Sequence, residues 1–388
     1  MELPTTSLEE WRYSRIDGLD LDRFQPAGLR PTAAAAHPEV DALIAAVGAT
    51  SAVVETRNGF VVGRSVSSQG IQIRDEADLS EAPAAVREPS DAFVVANRAY
   101  ASDPLVISVG RGVAADPVIL VHWVDADGVA VYPRTRIEAG EDSQLTVIEV
   151  VAGEGRALVA PLTELAVERA ARVDYLHVQL LGEEAWQIGS QVSQVGADAT
   201  LTSAAVSLGG HYARMRTDCA LTGQGASSRL IALYFGAGGQ MHDFRTVQDH
   251  RVPKTTSDLL YKGVVANTSR SVYTGLIRVE KGARGTNAFQ TNRNLVLHEG
   301  AHADSVPNLE IEDNDVRCSH ASAVGPVSED ERFYLESRGV PPEVTERLIA
   351  LGFLGEVLER LPAPALGPLL ANALATKLRT AEQLEQQR

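Results

Sequence analysis

The sequence predicts a mainly-β fold, a right-handed parallel β-helix core flanked by N-terminal helices and followed by a small C-terminal helical domain. Three observations carry that expectation. From Thr135 to Val324 a loose repeat couples a small or polar turn to a run of alternating β-branched residues, at intervals of roughly fifteen to thirty residues, the range of solenoid coils. No long helical pattern separates these runs, which argues against a βαβ sheet. Aromatic residues make up only 5% of the chain while Ala, Val, Gly and Thr abound, a composition suited to tightly stacked strands.

Taken in order, residues 1–50 read as an N-terminal helical segment. Ser7 and Glu10 have the spacing of a capping box, opening a short helix with Glu9, Trp11 and Tyr13, and Trp11 is expected to anchor this arm to the body. A second helix runs from His37-Pro38 through Val47 and ends near Gly48. Residues 51–134 form a mixed α/β lead-in with one helical patch, Ser90–Ala101. Within it Ser108–Ala115 contains Gly-x-Gly-x-x-Ala after an apolar run, the outline of a dinucleotide loop. That loop needs a helix immediately behind it to face the pyrophosphate, and Asp116–Val121 reads as a strand instead. No Gly-x₄-Gly-Lys-Ser/Thr loop occurs either, so the chain does not bind ATP in that manner.

Residues 135–325 are the expected β-helix core, with turns such as 139–142, 170–172, 196–198 and 223–226 ahead of runs such as Leu145–Val151, Val173–Leu180, Thr200–Leu208 and Leu230–Phe235. Terminal coils of such a stack expose strand edges and need covering by helices or by a partner. After Gly325-Pro326 the apolar period changes from 2 to 3.6, opening the helical domain of residues 326–388. Ser328 and Glu331 make a capping box for a helix ending at Gly339, Pro341-Pro342 opens a second, and Leu366–Leu378 forms a third before a polar tail, Glu382–Arg388. The expected role of these helices is to cap the stack.

At 388 residues the chain has ample material for a core. A net charge of −16 disfavours nucleic-acid and anionic-membrane binding and leaves solubility or a basic partner as its meaning. Two cysteines, Cys219 and Cys318, suit a reducing compartment and cannot alone supply a Cys₄ metal site. The N-terminus lacks a signal-peptide pattern and no apolar run reaches membrane-spanning length, so a cytoplasmic protein is expected.

The chemistry-bearing residues concentrate late in the chain. Over 287–324 three short strands are expected, Asn294–His298, Asn308–Glu312 and Val316–Ala321, linked by 299–307 and 313–315. Alternation on the third places Val316, Cys318 and His320 on one face, so a thiol and an imidazole form a pair of soft ligands or a buried hydrophobe with a hydrogen-bonded histidine. Upstream, His242, Asp243 and His250 lie close in sequence and read either as a metal site or as a satisfied polar ladder. His298-x₃-His302-x-Asp304 also has ligand-like spacing, but at a strand-to-turn junction that gives solvated turn histidines. Ser319 and His320 are adjacent and point to opposite faces, which excludes a serine-hydrolase pair. Glu310 and Glu312 share a face, leaving a carbohydrate-active β-helix enzyme as a separate class.

Several spaced blocks resemble the SufB/SufD family of iron–sulfur cluster assembly scaffolds. They are Gln290–Leu295, Gly300–Ser305, Pro307–Ile311 and Asp315–His320, in that order, joined by the His242-Asp243…His250 block with Thr255-Thr256-Ser257…Lys262-Gly263. Leu3-Pro4-Thr5-Thr6 with Glu10-Trp11-Arg12-Tyr13 is similar to the N-terminal block of the SufD branch, with Arg where that branch often has Lys. The resemblance implies a non-catalytic β-helix subunit that pairs with a SufB-like paralogue, and docks a SufC-type ATPase through its C-terminal helices, with Phe333, Tyr334, Leu335, Leu348 and Leu351 as docking residues. It implies a transient iron–sulfur cluster shared with SufB at the β-helix junction, His320 as this chain's ligand and Cys318 in a secondary role. It leaves open a reduced flavin in the complex and a homodimer when the chain is alone. The alternatives are a SufB-type paralogue that itself accepts sulfur, against which Cys219 lies in no matching motif, and a β-helix metal-dependent or carbohydrate-active enzyme.

Overall fold

A computed structural model describes residues 3–31, 37–68, 70–75 and 91–387. Among them the chain is a parallel β-solenoid of about eight turns, flattened into a twelve-stranded and a ten-stranded sheet. From Arg172–Leu181 onward consecutive strands alternate between the two sheets, so every strand stacks on the one a full coil away. The register is continuous: Arg172, Thr200, Ser227, Thr256, Asn287 and Arg317 form one column through the ten-stranded sheet. Roughly 30 residues therefore make one turn, more regular than the loose repeat in the sequence.

One turn position recurs in six successive coils. Two residues ahead of Gln144–Gly153 and of the first five strands of that column stand Asp142, Ala170, Asp198, Gly225, Lys254 and Gly285, all with positive φ. Their backbone amides reach the next coil: Ala170 N–H to Ala197 O at 2.9 Å, Asp198 N–H to Gln224 O at 3.0 Å, Lys254 N–H to Arg284 O at 2.7 Å. Left-handed Ala and Lys are unfavourable alone, so the stacked coil imposes this conformation on them. The sheets also begin earlier than residue 135: Ala52–Arg57, Leu105–Val109 and Val118–Val124, in the stretch read as a lead-in, are already rungs. Val118–Val124 follows Ser108–Ala115 as a strand, as the rejection of a dinucleotide loop requires.

Between the sheets, Leu145, Val147, Val173 and Leu201 meet Leu165, Val195, Cys219 and Leu221, and further along Leu230, Tyr234 and Tyr261 meet Phe244 and Tyr273. The outer face of the ten-stranded sheet is apolar as well, and helices cover it. These are α1 (Pro38–Val47), α4 (Pro342–Leu358) and α5 (Gly367–Gln386), packing Val40, Leu43, Leu354, Val357, Leu370, Leu374 and Leu378 on Ile148, Val178, Val206, Ile231 and Leu233. The expectation of an end cap is thus corrected: the C-terminal helices lie against the side of the stack, because the outward residues of its rungs are β-branched and Leu. Helix α5 also continues to Gln386 through most of the stretch read as a polar tail, its own Ala381 buried just before it; Arg388 lies outside the described residues.

On the other outer face sits the N-terminal arm. The expected capping box does not form; Glu9–Trp11 is a single 3₁₀ turn whose cap residue is Leu8, with no side-chain bond. Trp11 nevertheless anchors the arm, buried against Phe93 of α2 (Ala92–Tyr100) with the Arg214 guanidinium 3.9 Å over its ring. Helix α2 is capped by Asp91, and Ser90, its expected start, lies outside the described residues. Helix α3 (Glu329–Ser337) keeps the expected cap, the Glu331 amide donating to Ser328 Oγ at 3.4 Å.

The two ends of the stack differ. Antiparallel strands, Phe60–Val66 and Ile71–Asp75, finish the N-terminal end. At the other end stand His302–Ile311 and Arg317–Pro326, ten residues each and each paired on one side only among the described residues. The link expected over 299–307 is therefore mostly strand, since the column of Arg270–Val279 extends its register onto it.

Candidate functional site

Cys318 and His320 project from the last strand of the ten-stranded sheet, directly in register with Ala288 and Gln290 of the strand beneath. That register gives both side chains the inward parity of their column. In an inner coil this direction means burial, but among the described residues no coil lies above them. His320 is exposed and Cys318 half-buried. Partial burial pushes the Cys318 thiol up, opposed by a hydrogen bond from the Ala288 backbone. The pair thus stands on an open edge, amid exposed apolar side chains of the last two coils, Phe289, Ile311 and Val324. An unpaired ten-residue edge with apolar residues beside it is a template for another chain.

The other histidines fare differently. His242 is fully buried between the sheets, 3.0 Å from Ser207 Oγ, and burial, with the nearby Lys377 charge, pushes its imidazole down to about 3. His250, also buried, has Thr255 Oγ1 at 2.7 Å and Ser257 Oγ at 2.9 Å, and burial pushes it down to about 4. Asp243 faces the opposite side of the sheet from His242, as adjacent strand residues must. Burial alone would raise its carboxyl, but Arg214 and Arg245, each at 2.7 Å, hold it below the usual carboxylate range, and Tyr212 donates at 2.7 Å. Arg214 and Arg245 in turn grip the carbonyls of Glu10 and Arg12, at 2.8 and 2.6 Å, and so fasten the N-terminal arm. His242 and His250 are thus interior residues held by hydroxyls, His242 with its Nε2 unpartnered, while Asp243 belongs to an ion-pair cluster on the other face.

His302 lies on a strand, not in a turn, exposed and 3.2 Å from Asp304. Cys219 is buried between the sheets, and burial pushes its thiol up to about 12, which leaves no thiolate for chemistry at neutral pH. Sequence reading missed one cluster altogether. Glu149, fully buried, has His122 at 3.0 Å and His177 at 3.7 Å, and accepts from Thr135, Thr163 and Tyr175. Burial opposes its charge, yet the two imidazoles hold it well below the carboxylate range. Its signal was a polar residue at an inward position of each of three consecutive rungs. Among the described residues no group of three or more His, Cys, Asp or Glu is arranged to hold a metal ion.

Of the five docking candidates, Phe333, Tyr334 and Leu348 are exposed, Leu335 is half-buried, and Leu351 packs against the helix–sheet core. No described helix is long and apolar enough to cross a membrane.

Comparison with known proteins gives the family. Residues 122–353 match the family described as SUF system FeS cluster assembly, SufBD core domain. The chain is 32% identical over 302 residues to an iron–sulfur cluster assembly SufBD family protein of Mycobacterium bovis, covering 75% of this chain and 76% of that one. A SufBD family protein of Mycobacterium leprae is 33% identical over 299 residues, 74% and 76% of the two chains. The iron–sulfur cluster assembly protein SufD of Escherichia coli is 27% identical over 369 residues, 92% and 85% of the two chains. With a matched core spanning the rungs from Val118–Val124 into α4, the chain belongs to the SufBD family of iron–sulfur cluster assembly proteins.

Proposed function

We propose that this chain is a SufD-like, non-catalytic scaffold subunit. Its open terminal coil pairs with that of a SufB-like paralogue, and a nascent iron–sulfur cluster, the cargo of the reaction, forms at the seam with His320 as a ligand and Cys318 beside it. The observation that carries this reading is the position of His320 on an edge strand paired on one side only. Iron in such clusters takes four donors, and an isolated edge offers a thiol and an imidazole, so the shell is completed from a facing chain. A shell with imidazole in it holds a cluster less firmly than four thiolates, which suits a site that must release its product.

The exposed Phe333, Tyr334 and Leu348 on α3 and α4 are the surface for a SufC-type ATPase. Helix α4 is fastened to the ten-stranded sheet through the Lys262 ammonium, 2.6 Å from Glu356 and 2.9 Å from Phe353 O, so movement of the docked ATPase is transmitted to the rungs.

The test is co-expression with SufB-like and SufC-type partners, anaerobic purification, and reconstitution with iron and sulfide. The His320→Ala complex should form with unchanged stoichiometry and fail to build the cluster absorbance. Normal assembly by that variant sinks the ligand assignment; absence of any complex with the unaltered chain sinks the pairing.

A further inference from the structure

A groove of about 650 Å³ lies between α1, α5 and the corners where rungs of the ten-stranded sheet turn over. Its walls are aliphatic: Ala42 and Leu43 from α1, Leu180 and Leu208 from the ends of rungs, Leu370 and Ala373 from α5. Size and lining are those of a small-molecule site, in which a few polar groups fix the ligand. Its floor carries a single cation. The Lys377 ammonium donates to Leu208 O and Gln240 Oε1, both neutral and both lining the same groove, which leaves its third N–H over. The other deeply buried cations are built differently: Arg134, Arg214, Arg245 and Lys262 each lie within 3.3 Å of a carboxylate. Lys377 has no carboxylate in ion-pair contact among the described residues. Burial pushes its amine down to about 7, and Glu183 opposes this only from a distance. A desolvated cation without a counter-charge is costly, and an anion brought into the groove relieves that cost. Glu39 and Glu183 also line the groove, both exposed, so a head group with several negative charges meets repulsion there.

We propose that this groove binds a singly charged anionic amphiphile, a medium-chain carboxylate being the simplest, with its tail against Leu43, Leu180 and Leu370 and its head on the third N–H of Lys377. The site is independent of the cluster edge. Its occupant touches a helix from each end of the chain, α1 and α5, and so ties the two to the same rungs.

The experiment titrates the full chain with sodium decanoate, kept below its micelle-forming concentration, in an isothermal calorimeter at neutral pH. One site per chain is expected, with decanol and decyltrimethylammonium each about tenfold weaker or worse. Lys377→Met keeps the apolar stem and should weaken decanoate by a similar factor while leaving decanol unchanged. Ala42→Trp, at an exposed position on α1, fills the groove without touching the lysine and should weaken both, so the test stands even if Lys377→Met does not fold. The groups around the ammonium are His242 on the rung inside, Glu183 at the corner and Glu39 on α1; among the residues lining the groove α5 brings no second charge. His242, pushed down to about 3, stays neutral above pH 7, so the amine sets the slope there. Decanoate affinity should then fall about tenfold per unit of rising pH, as the protonated fraction of Lys377 falls, and Lys377→Met should abolish that slope. Equal binding of decanoate and decanol, or decanoate binding untouched by both substitutions, overturns the proposal, as does the absence of any binding heat. If decanoate binds the chain alone but not its co-purified complex, the occupant is a protein partner and the proposal falls.

Discussion

His250 and His320 are both inward-parity histidines on ten-residue strands of one solenoid, and their fates are opposite. Rungs on both sides sandwich His250, and two hydroxyls engage it, so its imidazole stays neutral far below its ordinary range. His320 has a rung on one side only and meets solvent on the other. The difference is not in the residue or the strand pattern but in the number of coils above. In a stacked fold, chemical availability is set by rank in the stack. Interior polar groups become structure, and the same groups on the last rung stay open to solvent and to another chain.

The comparison can be broken most forcefully at its structural side. Arg214→Ala strips the buried Asp243 of one of its two cations and should cost about 3–5 kcal/mol in urea unfolding, with the N-terminal arm loosened to proteolysis. Leu374→Ala, on the buried face of α5, should cost about 2–5 kcal/mol by the same measurement, because the helices wrap the inner rungs and do not hang free. A cost near zero would make that helix a detachable docking module.

Acid titration sharpens the contrast further. His250 binds its proton only near pH 4 when folded but near pH 6.5 when unfolded, so as pH falls through this window the unfolded chain takes up the proton first and stability drops. The loss attributable to this residue is roughly 3 kcal/mol between pH 6.5 and 4. His250→Gln should flatten that part of the slope in unfolding free energy against pH. The smallest effect belongs to the edge: His320→Ala should change stability by less than about 0.5 kcal/mol, since the side chain is exposed. A larger loss would mean that His320 is a structural residue after all.

Much of this was legible in the residues themselves. Alternation in Val316–His320 was enough to put Cys318 and His320 together, and Trp11 was readable as an anchor. Period and spacing could not give the place of a strand in the stack, which is why His242 and His320 looked equally ligand-like before their coils were known. Ala170 and Lys254 hide the turn repeat because neither residue type advertises a left-handed backbone. The C-terminal helices were legible as helices, but their seat was not. It follows from outward Ile, Val and Leu on rungs that, read one at a time, look like doubly buried strands.

The recurring left-handed corner also makes the length of this protein quantised. Excising or duplicating the segment between two equivalent corners, such as Asp198 and Gly225, removes or adds one whole storey and leaves the remaining columns matched. Each step would move the edge that carries His320 by about 4.8 Å relative to the helices bolted to the flank. The number of storeys is thus a built-in ruler between the place where a motor could sit and the place where its work would be felt.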